Sequence, residues 1–205
     1  MTMEVQNEKS SLRKRAEKVK ELRCKNLIAV LENPSNIMNI GSVIRNVNAL
    51  GVEKVYVVDT IGLLPTDWEV MRHRRSLQKI SASAIKWSFV KTFRSTGECV
   101  AHLQHNRFES VVASPHTKGH RNVVLHEGSY TQKRLAVWFG SEARGISDLA
   151  VANSEFCINI PMCGIIESLN LATTTGIVLY EVTRQRRDYQ SGRKPGSRYA
   201  CKNGT

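Results

Sequence analysis

The segment NPSNIMNIGSVIRNVNALG (33–51) carries polar side chains suited to binding or catalysis. We expect Asn39 to precede a helix whose polar side presents Ser42 and Arg45, because residues three positions apart share a helix face. An arginine there can hold a phosphate through its planar fork of donors. The alternative interpretation is that Asn39 only caps the helix and that Arg45 is only solvated.

Two later segments place further polar residues just after apolar runs. In FGSEARGIS (139–147), glycines stand on both sides of Glu142, which indicates backbone packed around a ligand or, alternatively, an ordinary turn between strand and helix. In IPMCGIIESLNLATTTG (160–176), a loop with proline and glycine places Ser168 and Asn170 at the start of a helix. Because Ser168 can equally be a simple N-cap, each segment alone is a weak signal.

Better-known chemical motifs do not occur in the sequence. The run GSEARGIS (140–147) matches a phosphate-binding P-loop except at Ile146, where the required lysine would stand. The histidines form no H-E-x-x-H pair and the cysteines no C-x-x-C pair, so we expect no metal. Cys163 has no recognisable histidine partner, and Ser168 lacks the G-x-S-x-G elbow of acyl-transfer serines.

Alternating strands and helices must position the three polar segments. Apolar runs rich in β-branched residues predict strands at 26–32, 55–59, 110–114, 135–140 and 156–161. Helical periodicity predicts helices at 40–50, 96–105 and 147–153, and a last one from about Ser168 to Arg187. This alternation is typical of an α/β domain with a mostly parallel sheet, whose ligands lie beyond the carboxyl ends of the strands.

Positive charge is concentrated at the two ends of the 205-residue chain. The net charge is +12; residues 9–25 and 184–202 each contribute +6, whereas residues 26–183 contribute +2. A nearly neutral body with two cationic arms is expected of a protein that holds a polyanion, with solubilising tails as the alternative. An internal basic group favours nucleic acid: Arg72, His73, Arg74, Arg75 and Lys79.

The chain has the length of a single domain with short appendages. We predict a basic amphipathic helix within 1–25, a globular domain over 26–188 and a basic flexible tail over 189–205. No apolar run approaches the roughly 20 residues of a membrane span, and the N-terminus lacks the apolar region of a signal peptide. We therefore expect a cytoplasmic protein that does not enter a membrane.

In their order and spacing, the three polar segments resemble the motifs of the SPOUT RNA methyltransferases, in particular the TrmH-type 2'-O-ribose methyltransferases. The resemblance is carried by N-x-G-x-x-x-R, F-G-S-E-x-x-G-I and I-P-M-x-G-x-x-x-S-L-N and runs from about Leu27 to Arg187. It implies a SPOUT-type α/β knot, with a mostly parallel sheet flanked by helices and a deep trefoil knot near the C-terminus. It also implies S-adenosyl-L-methionine as methyl donor and a homodimer whose two subunits complete the active site.

The resemblance also implies roles for individual residues. Arg45 matches the catalytic arginine, and its supporting set is Asn39, Glu142, Ser168 and Asn170. Backbone groups near four residues would hold the cofactor: Ser114, Gly140, Ile160 and Leu169. We predict RNA binding at Arg13, Lys14, Arg15, Arg72, Arg74 and Arg75. Since arginine stays protonated, positioning and charge stabilisation suit Arg45 better than proton abstraction.

The substrate is less well defined by the sequence than the reaction. The stretches VKTFRSTGECVAHL (90–103) and SLNLATTTGIVLYEVTRQRR (168–187) look most like enzymes that methylate the D-loop guanosine of transfer RNA, position 18. The alternatives are ribosomal RNA and the wobble nucleotide of transfer RNA. From other classes, a base-methylating SPOUT enzyme and a non-catalytic RNA-binding protein remain as rivals.

Overall fold

A computed structural model of the chain describes Lys14, residues 17–114 and residues 121–192. Within these ranges seven strands form one sheet: β1 Cys24–Glu32, β2 Val52–Val58, β3 Phe89–Phe93, β4 Glu109–Ala113, β5 Asn122–Val124, β6 Leu135–Phe139 and β7 Cys157–Asn159. Their order is β3-β2-β1-β6-β4-β7-β5, and each neighbouring pair is parallel. The predicted α/β fold with a mostly parallel sheet is confirmed.

Helices pack on both faces of this sheet. They are α1 Ile37–Leu50, α2 Trp68–His73, α3 Arg75–Ile80, α4 Thr96–His105, α5 Asp148–Ala152 and α6 Leu171–Gln190, with short 3-10 turns at Lys20–Leu22 and Ala84–Trp87. Successive side chains of β1 alternate between two apolar clusters, one under α1 and α6 and the other under α4 and α5. Because both faces are covered, β1 is apolar almost throughout.

The predicted first helix is present, but its start differs from the expectation. Asn36, whose Oδ1 accepts from the Met38 amide at 2.8 Å, is the N-cap of α1. Asn39 therefore lies inside the helix rather than before it, and the interpretation of Asn39 as a cap is wrong. The helix ends at Gly51, whose φ of +75° is the left-handed conformation that favours glycine.

Other element boundaries also depart from the sequence prediction. The last helix begins at Leu171 with Asn170 as its cap, so Ser168 is not the N-cap. Strands β3 and β5 and helices α2 and α3 were not predicted, because each is only three to six residues long and spans too little sequence for a clear period. No helix in the described ranges has the length and apolar character needed to cross a membrane.

The predicted N-terminal helix falls largely outside the described residues, as do Arg13 and Arg15. Lys14 and residues 17–19 are helical, and β1 then begins at Cys24, so the sheet starts slightly before the predicted domain boundary. The predicted C-terminal tail lies outside the described residues from position 193 onward.

Three arginines of the C-terminal basic arm are engaged by the protein itself. Arg184 forms ion pairs with two carboxylates of α6. Arg186 is buried, which lowers the pKa of its guanidinium, and it donates to the Lys25 carbonyl at 3.3 Å. Arg187 donates to the Leu50 carbonyl. The interpretation of the whole arm as free to hold a polyanion is therefore corrected for these three residues.

Candidate active site

A cavity of about 530 Å³ lies at the carboxyl edge of the sheet, where the ends of β4, β6 and β7 meet the start of α6. Residues from the second and third polar segments and from the end of β4 line it. They include all four residues predicted to hold a cofactor, together with three of the predicted catalytic set: Ser114, Gly140, Ile160, Leu169, Glu142, Ser168 and Asn170. The parallel sheet thus brings together residues that are distant in sequence.

The loop after β6 forms one wall of this cavity by folding back on itself. The backbone groups of Ser141 and Gly145 exchange two hydrogen bonds of 3.0 and 2.9 Å, and Gly145 has a φ of +65°. A Cβ at Gly140 would lie 2.2 Å from the Gly145 carbonyl carbon. Only glycine at 140 allows this close approach, which agrees with the predicted tight packing of backbone around Glu142.

Asn39 connects the three polar segments through its single amide group. Its Nδ2 donates to Oε1 of Glu142 in the second segment. Its Oδ1 accepts from Nδ2 of Asn170 in the third segment at 3.1 Å. Three of the five predicted catalytic residues therefore form one hydrogen-bonded group, which we call the Asn39 network.

The Glu142 carboxylate is the acceptor end of the Asn39 network. It also accepts from the backbone amide of Ser35 at 3.2 Å and from the Ser35 hydroxyl at 2.9 Å. Partial burial raises the pKa of this carboxyl, but the hydrogen bonds from Asn39, its own backbone and Ser35 outweigh burial and lower the pKa below its ordinary 4.5. Glu142 is therefore an ionised hydrogen-bond acceptor at neutral pH and not a proton donor.

Asn170 has two functions at the start of α6. Its Oδ1 caps the helix by accepting from the amides of Ala172 at 2.9 Å and Thr173 at 3.4 Å. Its Nδ2 is then left to reach Asn39. Two turns further along α1, Nδ2 of Asn46 donates to the Ala172 carbonyl at 2.8 Å. Helices α1 and α6 are therefore held together beside the cavity by side-chain amides.

Sequence analysis missed Glu32, the last residue of β1. Its carboxylate is only 3% exposed and accepts from the Thr96 hydroxyl at 2.5 Å, the Ser147 hydroxyl at 2.6 Å and the Ser147 amide at 2.7 Å. Ser147 ends the cavity loop and caps α5, so Glu32 fixes that loop to strand β1. The available signal was a carboxylate directly after the apolar run of β1.

Arg45 lies apart from the cavity in this chain. Six residues along an ideal helix turn it about 120° away from Asn39. Its side chain is exposed on α1 and has no hydrogen-bond partner among the described residues, and it is not part of the cavity lining. The Asn39 network and the predicted catalytic arginine are therefore not brought together within one chain.

The predicted RNA-binding residues that the structure describes lie outside the cavity. Lys14, Arg74 and Arg75 are exposed, and Arg74 donates to the Leu63 carbonyl at 2.8 Å. Arg72 pairs with Glu69 at 3.2 Å. Except for Lys14, they belong to α2, α3 and the turn between these helices, beside edge strand β3.

The cavity fits an adenosyl group in size and lining. Its volume is within the range of small-molecule sites, and loop backbone groups are accompanied by apolar side chains. The apolar members are Ala113, Phe139, Ala143, Ile146, Ile158, Ile160, Met162, Leu169 and Leu171. In the described part of the chain, no group of three or more histidine, cysteine or acidic side chains is placed to hold a metal ion.

The fold and the site define a class of α/β enzyme in which a nucleotide-like ligand is held beyond the carboxyl edge of a parallel sheet. The model of the SpoU rRNA Methylase family matches residues 26–180. The chain therefore belongs to the SpoU rRNA methylase family, and the predicted resemblance to SPOUT methyltransferases is confirmed.

Similar proteins agree with this assignment. A tRNA (guanosine(18)-2'-O)-methyltransferase of Thermus thermophilus is 30% identical over 174 residues, covering 85% of this chain and 82% of the relative. The TrmH/SpoU tRNA modifying enzyme of Aquifex aeolicus has a crystal structure with a TM-score of 0.72 at 27% identity, covering 91% and 90% of the two chains. The SpoU methyltransferase AviRb of Streptomyces viridochromogenes, solved in complex with the cofactor AdoMet, has a TM-score of 0.66 at 25% identity, covering 80% and 59%.

Proposed function

We propose that this chain is an RNA 2'-O-ribose methyltransferase that uses S-adenosyl-L-methionine and acts on transfer RNA. The Asn39 network at the mouth of an adenosyl-sized cavity is the observation that carries this proposal. Family membership and relatives named for 2'-O-methylation of guanosine 18 support it. We place the activity in the cytosol, where buried free thiols such as Cys24 and Cys99 stay reduced.

The proposed reaction needs no covalent bond between the protein and its substrate. S-adenosyl-L-methionine, when bound, supplies a methyl group on a positively charged sulfur, and the chain must align the ribose hydroxyl behind it and exclude water. Transfer of that methyl group to the ribose 2'-oxygen would break the carbon–sulfur bond, with the neutral thioether as leaving group, and the hydroxyl proton would pass to solvent. The Asn39 network fixes the loop of Glu142 against the start of α6, so the cavity mouth keeps one shape.

We propose that Arg45 acts across the interface of a homodimer, on the cavity of a second copy. Within one chain Arg45 lies outside the cavity lining. Several large apolar side chains of α1, of the loop before α6 and of α6 are exposed, with Ile165 at 98%. The others are Met38, Ile166, Leu169, Ile177 and Tyr180. A second copy packed on this surface would bring in a guanidinium that holds an RNA phosphate beside the ribose.

Mixing two inactive variants tests this arrangement. Arg45→Ala and Asn39→Ala are each expected to lose about a hundredfold in methyl transfer, because misplacing a reacting group by about 1 Å has that effect. Mixed dimers then contain one site with both residues intact, so activity should return to a substantial fraction of wild type. Mixtures that stay as inactive as the separate variants would show that Arg45 acts on its own chain.

We also propose the trefoil knot. Gln185 accepts from the Tyr130 amide at 3.2 Å and donates to the Gly128 carbonyl at 3.0 Å, while Arg186 donates to the Lys25 carbonyl. The end of α6 therefore lies between the segment around 130 and the start of β1, as expected of a chain end passed through an earlier loop. An experimental chain trace in which α6 passes outside that loop would contradict the knot.

The reaction is tested by incubating the chain with methyl-labelled S-adenosyl-L-methionine and fractionated RNA, followed by nucleoside analysis. Label in 2'-O-methylguanosine of transfer RNA is the expected result. Label in ribosomal RNA or at the wobble nucleotide would show that the substrate is a different one, and label on a base would show that the reaction is base methylation. No label in any RNA would show that the chain is a non-catalytic RNA-binding protein. Asn46→Ala is the matched control for Asn39→Ala, since this α1 asparagine bonds to α6 away from Glu142. Its rate of methyl transfer should stay within a few-fold of wild type.

A further inference from the structure

Three aromatic residues lie at the start of edge strand β3 or next to it: Phe89 is its first residue, Trp87 comes two positions earlier, and Trp68 contacts Phe89. Trp87 is 40% exposed and Phe89 is 47% exposed, and the ring centroids of Phe89 and Trp68 are 6.2 Å apart. Phe89 is the first residue of β3, whereas the cavity lies beyond the carboxyl ends of β6, β4 and β7, the nearest of which is three strands away from β3 in the sheet. Two large aromatic side chains exposed two positions apart in the sequence, at the start of an edge strand, form a candidate binding surface.

Basic residues lie next to these aromatic residues. The Arg72 guanidinium carbon lies 6.0 Å from the Trp68 ring centroid, which is within the range of a cation–π contact. Arg23 donates to the Trp87 carbonyl at 2.9 Å, and Lys86 is exposed next to Trp87 in the chain. We call the six residues the edge patch: Arg23, Trp68, Arg72, Lys86, Trp87 and Phe89.

The sequence around the edge patch is more basic than the rest of residues 26–183. Residues 68–94 hold seven of the fifteen lysines and arginines found within 26–183, but one of the thirteen acidic residues. The remainder of the body is therefore acidic on balance, and the edge patch is its basic region. The one acidic residue, Glu69, pairs with Arg72 in an exposed ion pair of little strength, which a phosphate can replace.

We propose that unpaired bases of the RNA substrate stack on Trp87 and Phe89, while Arg23, Arg72 and Lys86 hold the adjoining phosphates. This inference rests on the proposed function in taking RNA as the ligand. Bases of any sequence can stack on aromatic side chains, and a basic groove beside them holds the backbone. The charge of the region favours RNA over a protein partner with an apolar surface. Because the edge patch is remote from the cavity, it contributes affinity and not chemistry.

The chain's own fluorescence provides a direct test. Of its three tryptophans, Trp138 is only 1% exposed, so quenching by an added ligand reports on Trp68 and Trp87. Titration of the full chain with unfractionated transfer RNA, and with a short single-stranded RNA, should quench tryptophan emission. Trp87→Ala should weaken binding of both RNAs about tenfold, with the loss in KM for transfer RNA, since one stacked base has about that effect.

Two further variants distinguish the loss of a stacking contact from misfolding of Trp87→Ala. Trp87→Phe keeps an aromatic ring and should retain most of the affinity, whereas Lys86→Glu should weaken binding most strongly at low salt. The control is Leu149→Ala, which removes an exposed apolar side chain of α5 on the other face of the sheet and should change nothing.

Each outcome supports or rejects either the stacking proposal or the proposed function. Wild-type affinity in the Trp87→Ala and Phe89→Ala variants, while wild type still binds and methylates transfer RNA, would overturn the stacking proposal and leave the proposed function intact. The same result with altered sedimentation would identify the edge patch as a protein interface and also overturn it. Quenching without any methyl transfer by wild type would support stacking and reject the proposed function.

Discussion

Glu32 and Glu142 are two carboxylates with similar partners and different surroundings. Each accepts three hydrogen bonds from other residues, and each connects segments more than sixty residues apart in sequence. Glu32 is buried between β1, α4 and the start of α5, whereas Glu142 is exposed at the cavity mouth. The same set of bonds therefore stabilises the protein at one position and shapes a binding surface at the other, and burial decides which.

The largest effect expected from this comparison is on stability at Glu32. Glu32→Ala leaves the Ser147 amide and two hydroxyls unpaired in a buried site, so the free energy of unfolding should fall by about 3 kcal/mol. Denaturant titration measures this directly. A loss below about 1 kcal/mol would show that water replaces the carboxylate and that the two positions are alike.

Glu142→Ala should affect activity strongly and stability little, in contrast to Glu32→Ala. Methyl transfer should fall about a hundredfold because Asn39 and the cavity loop lose their common acceptor, while unfolding changes by less than about 1 kcal/mol. Single-turnover assays and denaturant titration on the same sample compare the two effects. If activity stays near wild type, the Asn39 network is only a structural connection between loops.

Asn170→Ala should fall between these two cases, since this residue both caps α6 and bonds to Asn39. Loss of the cap should lower the free energy of unfolding by about 1 kcal/mol. Asn170→Asp keeps the cap acceptor but cannot donate to Asn39, so stability should recover while methyl transfer does not. Recovery of both properties in Asn170→Asp would remove the bond to Asn39 from the proposed mechanism.

The smallest expected effect is on the pH dependence of the stability that Glu142 contributes. Because the folded-state pKa of Glu142 is lowered from 4.5, its stabilising contribution is fully present above that value and is lost as the pH falls through the lower folded pKa. The difference in stability between wild type and Glu142→Gln should therefore be constant above about pH 5.5 and vanish in more acidic solution. A difference that changes near neutral pH would assign the titration to another group.

Much of this arrangement could be predicted from local sequence, and the remainder depends on partners that are distant in the chain. The buried strands and the three polar segments have clear local patterns, so five of the seven strands and the residues around the cavity were anticipated. Glu32 was missed because Ser147, its main partner, is 115 residues away. The placement of Arg45 outside the cavity was also not foreseen, since a shared motif does not fix the direction of a side chain.

The contacts of Arg186 and Arg187 have a consequence for the two ends of the chain. They attach the end of α6 to the Lys25 and Leu50 carbonyls, close to where the N-terminal segment enters β1. The basic sequences at both termini are therefore tethered at neighbouring points on one side of the protein. If both terminal sequences bind RNA, as proposed from their charge, binding by one would hold the other at high local concentration, and the pair would gain avidity that neither has alone.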